Sequence, residues 1–319
     1  MQNPIQKKYQ TCFVLALLAI LAACSSGDAQ LEGELFSTER RLKDLTSAIE
    51  GGSLRNASMI KQYSRLLQKS RPELKPLLIE LEKEASTSNP LYQSLQDRYK
   101  VIRDETESFD SWVEKVEELK RIQSAADLGA YNDALSDTVN VIADLSKGEL
   151  ARVNAVSKKT ELSMNESKDF GAGSQYMGNP HYGHWSHGSG GSYWAWYGQY
   201  RFFGSMFGNN RYYYNDWAGR RGYSYYSDIG RNSYTSRSQR AGQRDVASRA
   251  KKQFGSSGNF KSPYSKSRTG ATGMSKASSA QQKSAFKSPY SKSTASTSKY
   301  QSSTRNSGFR TSRGTSRGK

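Results

Sequence analysis

Cysteine and histidine are scarce in this chain of 319 residues, which has two cysteines and three histidines. Cys12 lies in an apolar N-terminal run and Cys24 directly follows that run, so no cysteine pair is left to form a disulfide in the rest of the chain. Residues 25–170 contain neither histidine nor cysteine, which excludes catalytic pairs built on those side chains there. Composition therefore favours a protein that is not an enzyme and that is stabilised by packing alone.

Acidic residues and leucine are nearly absent from the C-terminal half. Residues 171–319 contain 24 basic residues, three acidic residues and no leucine, whereas residues 24–170 contain 21 basic and 26 acidic residues. Of the formal net charge of +18, the last 149 residues contribute +21. Since Ile229 and Val246 are the only branched aliphatic residues there, the sequence predicts no ordinary aliphatic core in this half.

The apolar run at the N-terminus is too short for a membrane span. It covers residues 11–23, which is 13 residues against the roughly 20 that a helix needs to cross a bilayer. Lys7 and Lys8 precede it, and a positive segment followed by a short apolar run is typical of a secretory signal peptide. We therefore assign residues 1–23 to a signal peptide.

The end of this run resembles the lipobox of bacterial lipoproteins. Leu21, Ala22 and Ala23 match the residues that the signal peptidase recognises, and Cys24 matches the cysteine that is acylated. The resemblance implies that Cys24 becomes the lipid-modified first residue of the mature chain, with residues 24–30 as a linker and membrane lipid as its partner. The alternative is a plain signal peptide that leaves Cys24 as a free thiol. Ser25 follows the cysteine, and by the same resemblance this favours the outer membrane, facing the periplasm or exposed at the surface.

Residues 31–165 have the periodicity of helices. Apolar residues recur at intervals of three, four or seven, and the first stripe ends at two adjacent glycines. Its members are Leu31, Leu35, Leu42, Leu45 and Ile49. Short breaks between successive stripes predict antiparallel neighbours. The expected fold is all-α, an antiparallel helical bundle or stacked helical hairpins, followed by a long disordered low-complexity tail.

Three further signals predict where the middle helices begin and how they pack. Ser70 and Glu73 have the spacing of a capping box, and Asn89 before Pro90 is a strong helix start. From there a near-heptad stripe predicts one long helix up to about residue 126, and the next helix is expected over residues 130–146. The stripe consists of Leu91, Leu95, Ile102, Phe109 and Val116. It could form the seam of a coiled-coil homodimer, but helices this short and interrupted favour packing within one chain.

Residues 166–235 are rich in glycine and aromatic residues. Residues 176–234 include 12 tyrosines, four tryptophans and three phenylalanines. Exposed rings and arginines form many contacts of roughly 0.5–1 kcal/mol each, which predicts a cohesive low-complexity segment without a unique fold. The alternative is a small β module with an aromatic core, because tyrosine and tryptophan favour strands.

All three histidines lie in this segment, as His181, His184 and His187. Three imidazoles so close together could bind Zn²⁺ or Cu²⁺ weakly, and three histidines with an open coordination position are the ligand set of some catalytic zinc sites. No acidic residue lies close in sequence to orient the rings, and the plainer interpretation is three more polar rings in an aromatic segment.

Residues 236–319 have the composition of a disordered basic tail. The octapeptide FKSPYSKS at residues 260–267 recurs identically at residues 286–293, and each copy brings aromatic and lysine side chains together around a proline. Such copies suit an anionic chain that carries planar or sugar groups. The residues predicted to bind a polyanion are Lys261, Tyr264, Lys266, Lys287, Tyr290, Lys292, Arg313 and Arg317.

These features predict a non-enzymatic envelope lipoprotein. Its acyl groups anchor it, its helical domain binds an unidentified envelope protein or a second copy of itself, and its tail binds an anionic polymer such as lipopolysaccharide, peptidoglycan or capsule. One alternative is a lipoprotein that binds nucleic acid by charge and by stacking on Tyr264 and Tyr290. Another is a metal binder that uses the histidine cluster. The sequence implies no cofactor apart from the covalent acyl groups.

Overall fold

The apolar stripes of the first half fold as helices. The structure, a computed structural model, describes residues 4–107, 109–153, 157–206, 211–266 and 268–270, and the chain is mostly helical with one two-stranded sheet in the described part. The predicted helical class of residues 31–165 is confirmed. None of the helices in the described residues has both the length and the apolar character that crossing a membrane requires.

The first half of the chain contributes the helices that carry most of the aliphatic core. They are α1 (Pro4–Glu50), α2 (Arg55–Ser70), α3 (Lys75–Lys83), α4 (Pro90–Arg103), α5 (Trp112–Ala125), α6 (Leu128–Ala134), α7 (Ser136–Leu145) and α8 (Lys158–Met164). The predicted glycine break follows α1 directly, and Gly52 has a φ of 68°, a conformation that glycine adopts without strain. As predicted, Asn89 caps α4, since its side-chain oxygen accepts a hydrogen bond from Leu91 N at 2.7 Å.

Three details differ from the sequence prediction. No capping box forms at Ser70, because Glu73 pairs with Arg71 and a short 3-10 turn precedes α3. The predicted long helix is divided into α4 and α5, because the backbone turns at Glu105, where φ is 52°, and Ser111 caps a new helix start. The helix predicted over residues 130–146 is likewise divided into α6 and α7. Most of the near-heptad stripe is buried within the chain, with Leu95 fully inaccessible, whereas Phe109 is only partly buried.

The glycine and aromatic segment is folded, contrary to the expectation of no unique structure. It contains β1 (Gly183–Gly188), β2 (Gly191–Trp196), α9 (Arg201–Met206), α10 (Tyr214–Arg220) and α11 (Arg231–Tyr234), and it is followed by α12 (Arg237–Phe254). Its core consists of rings in place of aliphatic side chains, and Trp217, Tyr225 and Phe203 are all nearly inaccessible. Because each ring buries roughly 150–250 Å², a few of them replace the missing leucines. The alternative prediction, a β module with an aromatic core, resembles the observed structure in its hairpin and its buried rings, although helices surround the hairpin.

The two halves of the chain share one core across the boundary expected at residue 165. The main apolar cluster contains Leu45 and Ile142 from the helical half together with rings from the aromatic half. Those rings are Tyr176, Tyr182, Tyr200, Phe203, Tyr223, Tyr225, Tyr226 and Tyr234. The described residues accordingly group into one compact unit.

Buried hydrogen bonds reinforce this shared core. Tyr234 OH donates to the Ala125 carbonyl at 2.7 Å, and Asp137 accepts from the backbone N–H groups of Tyr225 and Tyr226 at 2.7 and 3.1 Å. Each of these contacts joins residues more than 80 positions apart. The aromatic segment is therefore a structural part of the helical fold.

The start of the basic tail is also ordered. Ser236 and Gln239 form a capping box, and they open α12, which runs for 18 residues. This differs from the disorder expected for residues 236–319, since a long stretch of low hydrophobicity still forms a helix when one face docks on an aromatic core. Residues 271–319 lie outside the described part of the chain.

Candidate polyanion interface on the last helix

The two sides of α12 have opposite character. Val246, Ala247, Ala250 and Phe254 recur at helical spacing and pack against the second apolar cluster, which contains Trp217. The outer side carries four exposed cations, Arg244, Arg249, Lys251 and Lys252. An interval of seven residues places Arg244 and Lys251 on nearly the same line, and Arg249 and Lys252 are neighbours at an interval of three.

The four outer cations of α12 have no ion-pair partner among the described residues. Other cations of the protein are paired, for example Lys115 and Arg152, which lie 2.8 and 2.9 Å from carboxylates. Asp245 is the only acidic residue of α12. The outer side of α12 is therefore a concentrated positive surface that attracts external anions.

The arginines near the N-terminus of α12 differ from the outer cations, because they form ion pairs with the helical half of the chain. Arg240 Nη2 lies 2.8 Å from Glu118 Oε2, and Glu118 also pairs with Arg98 and Arg121. Burial alone would raise the pKa of Glu118, but these guanidinium groups, Arg98 foremost, lower it to about 2. Arg237 pairs with Asp110 at 3.1 Å. These ion pairs hold α12 in place while its outer cations stay free of them.

The first FKSPYSKS copy is part of the fold. The Pro263 carbonyl accepts a hydrogen bond from Arg221 Nε at 2.8 Å, and the Arg231 guanidinium lies 3.8 Å from the ring centre of Tyr264. Burial raises the pKa of the Tyr264 hydroxyl. Since Arg231 covers this ring, the structure does not support Tyr264 as an open stacking platform for a base.

The two lysines of the first copy remain at the surface. Lys266 Nζ lies 3.4 Å from Glu166, and both side chains are largely exposed. Lys261 is exposed and, with Arg220 and Asp216, lines a polar cleft of about 490 Å³. Among the predicted polyanion residues that the structure describes, Lys261 and Lys266 thus have side chains accessible to an external anion.

The structure gives no side-chain contacts for the remaining predicted residues. Leu21, Ala22, Ala23 and Cys24 lie within α1, and nothing is described of their side chains. A final group lies outside the described residues: Lys287, Tyr290, Lys292, Arg313 and Arg317.

The three histidines are not brought together as metal ligands. His181 Nε2 donates to the Tyr234 carbonyl at 2.7 Å, and burial lowers the pKa of its imidazole to about 4. His184 and His187 are exposed and, being three apart on β1, lie on opposite faces of the hairpin. In the described part of the chain, no three His, Cys, Asp or Glu residues are grouped closely enough to hold a metal ion.

The cations of α12 were not singled out from the sequence, although a signal was present. Ser236 and Gln239 have capping-box spacing, and Val246, Ala250 and Phe254 recur every four residues. The surrounding serine, glycine and lysine content hid this short amphipathic pattern. No family model, curated protein or solved structure matches this chain.

Proposed function

We propose that this protein is a non-enzymatic, lipid-anchored envelope protein that binds an anionic glycan polymer through the outer side of α12. Acyl groups on Cys24 hold one end at the outer membrane, and the helical half, packed as antiparallel hairpins, is the rigid support that also docks an envelope protein. The candidate polymers are lipopolysaccharide, peptidoglycan and capsule. This proposal differs from the sequence prediction in one respect, because the proposed binding surface begins on a folded helix and not in a flexible tail.

The observation that supports this proposal is the set of four exposed cations on α12 that have no ion-pair partner in the described part of the chain. Cations that already pair with carboxylates lose that interaction when an external anion binds, whereas Arg244, Arg249, Lys251 and Lys252 have none to lose. A positive surface fixed on a helix also avoids part of the ordering entropy that a flexible tail must overcome on binding. The ordered surface is therefore the stronger part of the interface.

Replacing the four cations with glutamine should weaken retention on an anionic polysaccharide at low salt by roughly a hundredfold to a thousandfold, because each basic residue near an anionic surface contributes about 1 kcal/mol. The variant is Arg244→Gln, Arg249→Gln, Lys251→Gln and Lys252→Gln in the full chain. Binding to immobilised heparin and to purified lipopolysaccharide is measured across a salt series. The variant should also show a shallower dependence on salt.

A matched control removes the same charge elsewhere. Arg40, Arg55, Lys69 and Lys75 are exposed on the helical half and form no ion pair with described residues. Their replacement by glutamine lowers the net charge equally and should leave retention nearly unchanged. Equal losses in the two variants would mean that total charge, and no particular surface, determines binding, and the proposed interface would be wrong.

The lipid anchor has its own test. Intact-mass measurement of protein extracted from the membrane fraction should show a chain that begins at Cys24 and carries acyl groups. A Cys24→Ser variant should keep its leader or appear in the soluble fraction, because a single weak apolar contact cannot replace several acyl chains. An unmodified Cys24 thiol in membrane-extracted protein would contradict the anchor.

Nucleic acid remains the second candidate polymer. It has the same anionic charge, but one of the two rings expected to stack on bases, Tyr264, lies under Arg231. The other, Tyr290, lies outside the described residues. Single-stranded DNA that binds more tightly than heparin at equal salt, with the same loss in the α12 variant, would favour this candidate.

A further inference from the structure

A small cleft with aromatic walls lies between the β hairpin and α12. Its volume is about 240 Å³. The residues that define this aromatic cleft are His184, Trp185, Trp194 and Tyr197 from the hairpin side, and Gln239 and Gly242 from α12. The cleft uses the same helix as the polyanion interface, but a different side of it.

The hairpin holds the rings of the cleft in fixed positions. The register pairs Trp185 with Trp194 across the two strands, and their ring centres are 5.0 Å apart. His184 stacks on Tyr197 at 5.2 Å with an interplanar angle of 22°. Tyr197 is 44 % exposed, so flat ring surface is accessible at the edge of the cleft.

Polar groups with unused hydrogen-bonding capacity lie beside these rings. Gln239 Oε1 accepts from the Ser236 backbone N–H, whereas Gln239 Nε2 has no hydrogen-bond partner among the described residues. The Tyr197 hydroxyl likewise has no hydrogen-bond partner among the described residues, and this side chain is 44 % exposed. Among the residues that the structure describes, no Lys, Arg, Asp or Glu lines the cleft. The lining therefore suits an uncharged ligand that offers both an apolar face and groups that can hydrogen-bond to Gln239 and Tyr197.

We propose that the aromatic cleft binds one pyranose ring of a glycan. The C–H face of a pyranose is flat and apolar and matches the ring surfaces, while its hydroxyl groups match the Gln239 amide and the Tyr197 hydroxyl. Pockets for drug-sized ligands begin at roughly 300 Å³, so this smaller cleft takes a single ring. The inference rests on the proposed function and deepens it, because it names the sugar unit that binds beside the cations of α12.

Gly242 offers a way to block the cleft while the fold is kept. A Cβ atom built on Gly242 meets no atom within 4 Å, and the residue lies within the helix α12. A Gly242→Leu side chain can thus project into the open space, and leucine also favours a helix more than glycine does. Gly33 in α1 has equally open surroundings, so Gly33→Leu is the matched control.

The test uses the full-length protein in a detergent without a sugar headgroup. Oligosaccharides of glucose and of N-acetylglucosamine, about two to six units long, are titrated and binding is followed by tryptophan fluorescence and calorimetry. We expect weak binding that does not change with salt, a loss of at least tenfold in Gly242→Leu, and no loss in Gly33→Leu. The absence of binding to every oligosaccharide, or equal affinity in the two leucine variants, would overturn the proposal.

Two further measurements separate this proposal from its rivals. Tetramethylammonium binding tighter than any of the sugars would assign the cleft to quaternary ammonium groups, which aromatic rings also attract, and would overturn the sugar assignment. The four-cation variant of α12 should keep its oligosaccharide binding. In that variant, unchanged heparin retention would contradict the polyanion interface alone. Loss of oligosaccharide binding would contradict the separate sugar site.

Discussion

A chain that ends at residue 165 is expected to lose most of its folding stability, whereas a chain that ends at residue 270 keeps the stability of the full protein. The shorter chain corresponds to the helical domain as predicted from the sequence. In the structure, its main apolar cluster is completed by eight rings of the aromatic segment, including Tyr176 and Phe203. Truncation exposes that cluster to water.

The size of the effect follows from the buried rings. Removing one large buried ring costs about 3–5 kcal/mol, and the whole stability of a domain is about 5–15 kcal/mol. Truncation at residue 165 also removes partners from buried polar groups, such as the Ser233 carbonyl that accepts from Arg98 at 2.7 Å. The loss caused by truncation should therefore approach the whole free energy of unfolding of the domain.

Thermal and urea unfolding of two soluble chains, residues 25–165 and residues 25–270, measure this difference. We expect a cooperative transition for the longer chain and a broad or absent transition for the shorter one, with increased binding of a hydrophobic dye. Cooperative unfolding of both chains at the same midpoint would show that the helical half is an independent domain and would refute the shared core.

Replacing Glu84 with glutamine should flatten the pH dependence of stability between about pH 5 and pH 8. Glu84 is 1 % exposed, and its carboxylate accepts hydrogen bonds from Thr138 at 2.6 Å and from the Tyr182 and Tyr200 hydroxyls at 3.0 and 2.9 Å. Burial raises the pKa of Glu84 to about 7, although these hydroxyls act in the opposite direction.

The direction of the effect follows from proton binding. With a pKa of about 7 in the folded state and 4.5 in the unfolded state, Glu84 binds a proton on folding between these values. Its contribution is fully present below pH 4.5 and is lost as the pH rises through 7, a change of about 3 kcal/mol. Burial raises the pKa of Asp137 to about 7 as well, so Asp137 also makes the protein less stable as the pH rises.

His181 acts in the opposite direction. Burial lowers the pKa of its imidazole from 6.5 to about 4, so its contribution is present above pH 6.5 and is lost as the pH falls through 4. We therefore expect maximal stability in mildly acidic solution.

Urea unfolding at about pH 5.5 and pH 8.5 tests the role of Glu84. Glu84→Gln should lose about half of the wild-type difference, because Asp137 still titrates. Glu32→Gln, which changes an exposed carboxylate on α1, is the control and should keep the whole difference. If the difference in Glu84→Gln equals the full wild-type difference, the pH dependence must come from other groups.

Sequence patterns predicted the helices of the first half because their signals are local. Leucine spacing, the glycine pair after α1 and the Asn89 cap act within a few residues, so they are readable without a fold. The division at Glu105 was missed because the apolar stripe continues through Phe109, and only the packing of α4 on α5 determines that the chain turns there.

The candidate interface was only partly predictable for a related reason. The excess of basic residues and the absence of leucine after residue 170 are visible in composition, and they correctly indicate a positive region without an aliphatic core. Whether a given cation is free depends on carboxylates far away in the chain. Arg240 pairs with Glu118, 122 positions earlier, whereas Arg244, one turn further along α12, pairs with none of the described residues.

The amino-acid sequence alone determined the helical character of the first half, the location of the positive charge and the resemblance of residues 21–24 to a lipobox. Only the tertiary structure decided that the aromatic residues form a core with those helices, that α12 docks on it, and that His181 and Tyr264 contact the Tyr234 carbonyl and Arg231. The physical reason is that rings and buried carboxylates gain their stabilisation from partners distant in sequence, and composition carries no record of those partners.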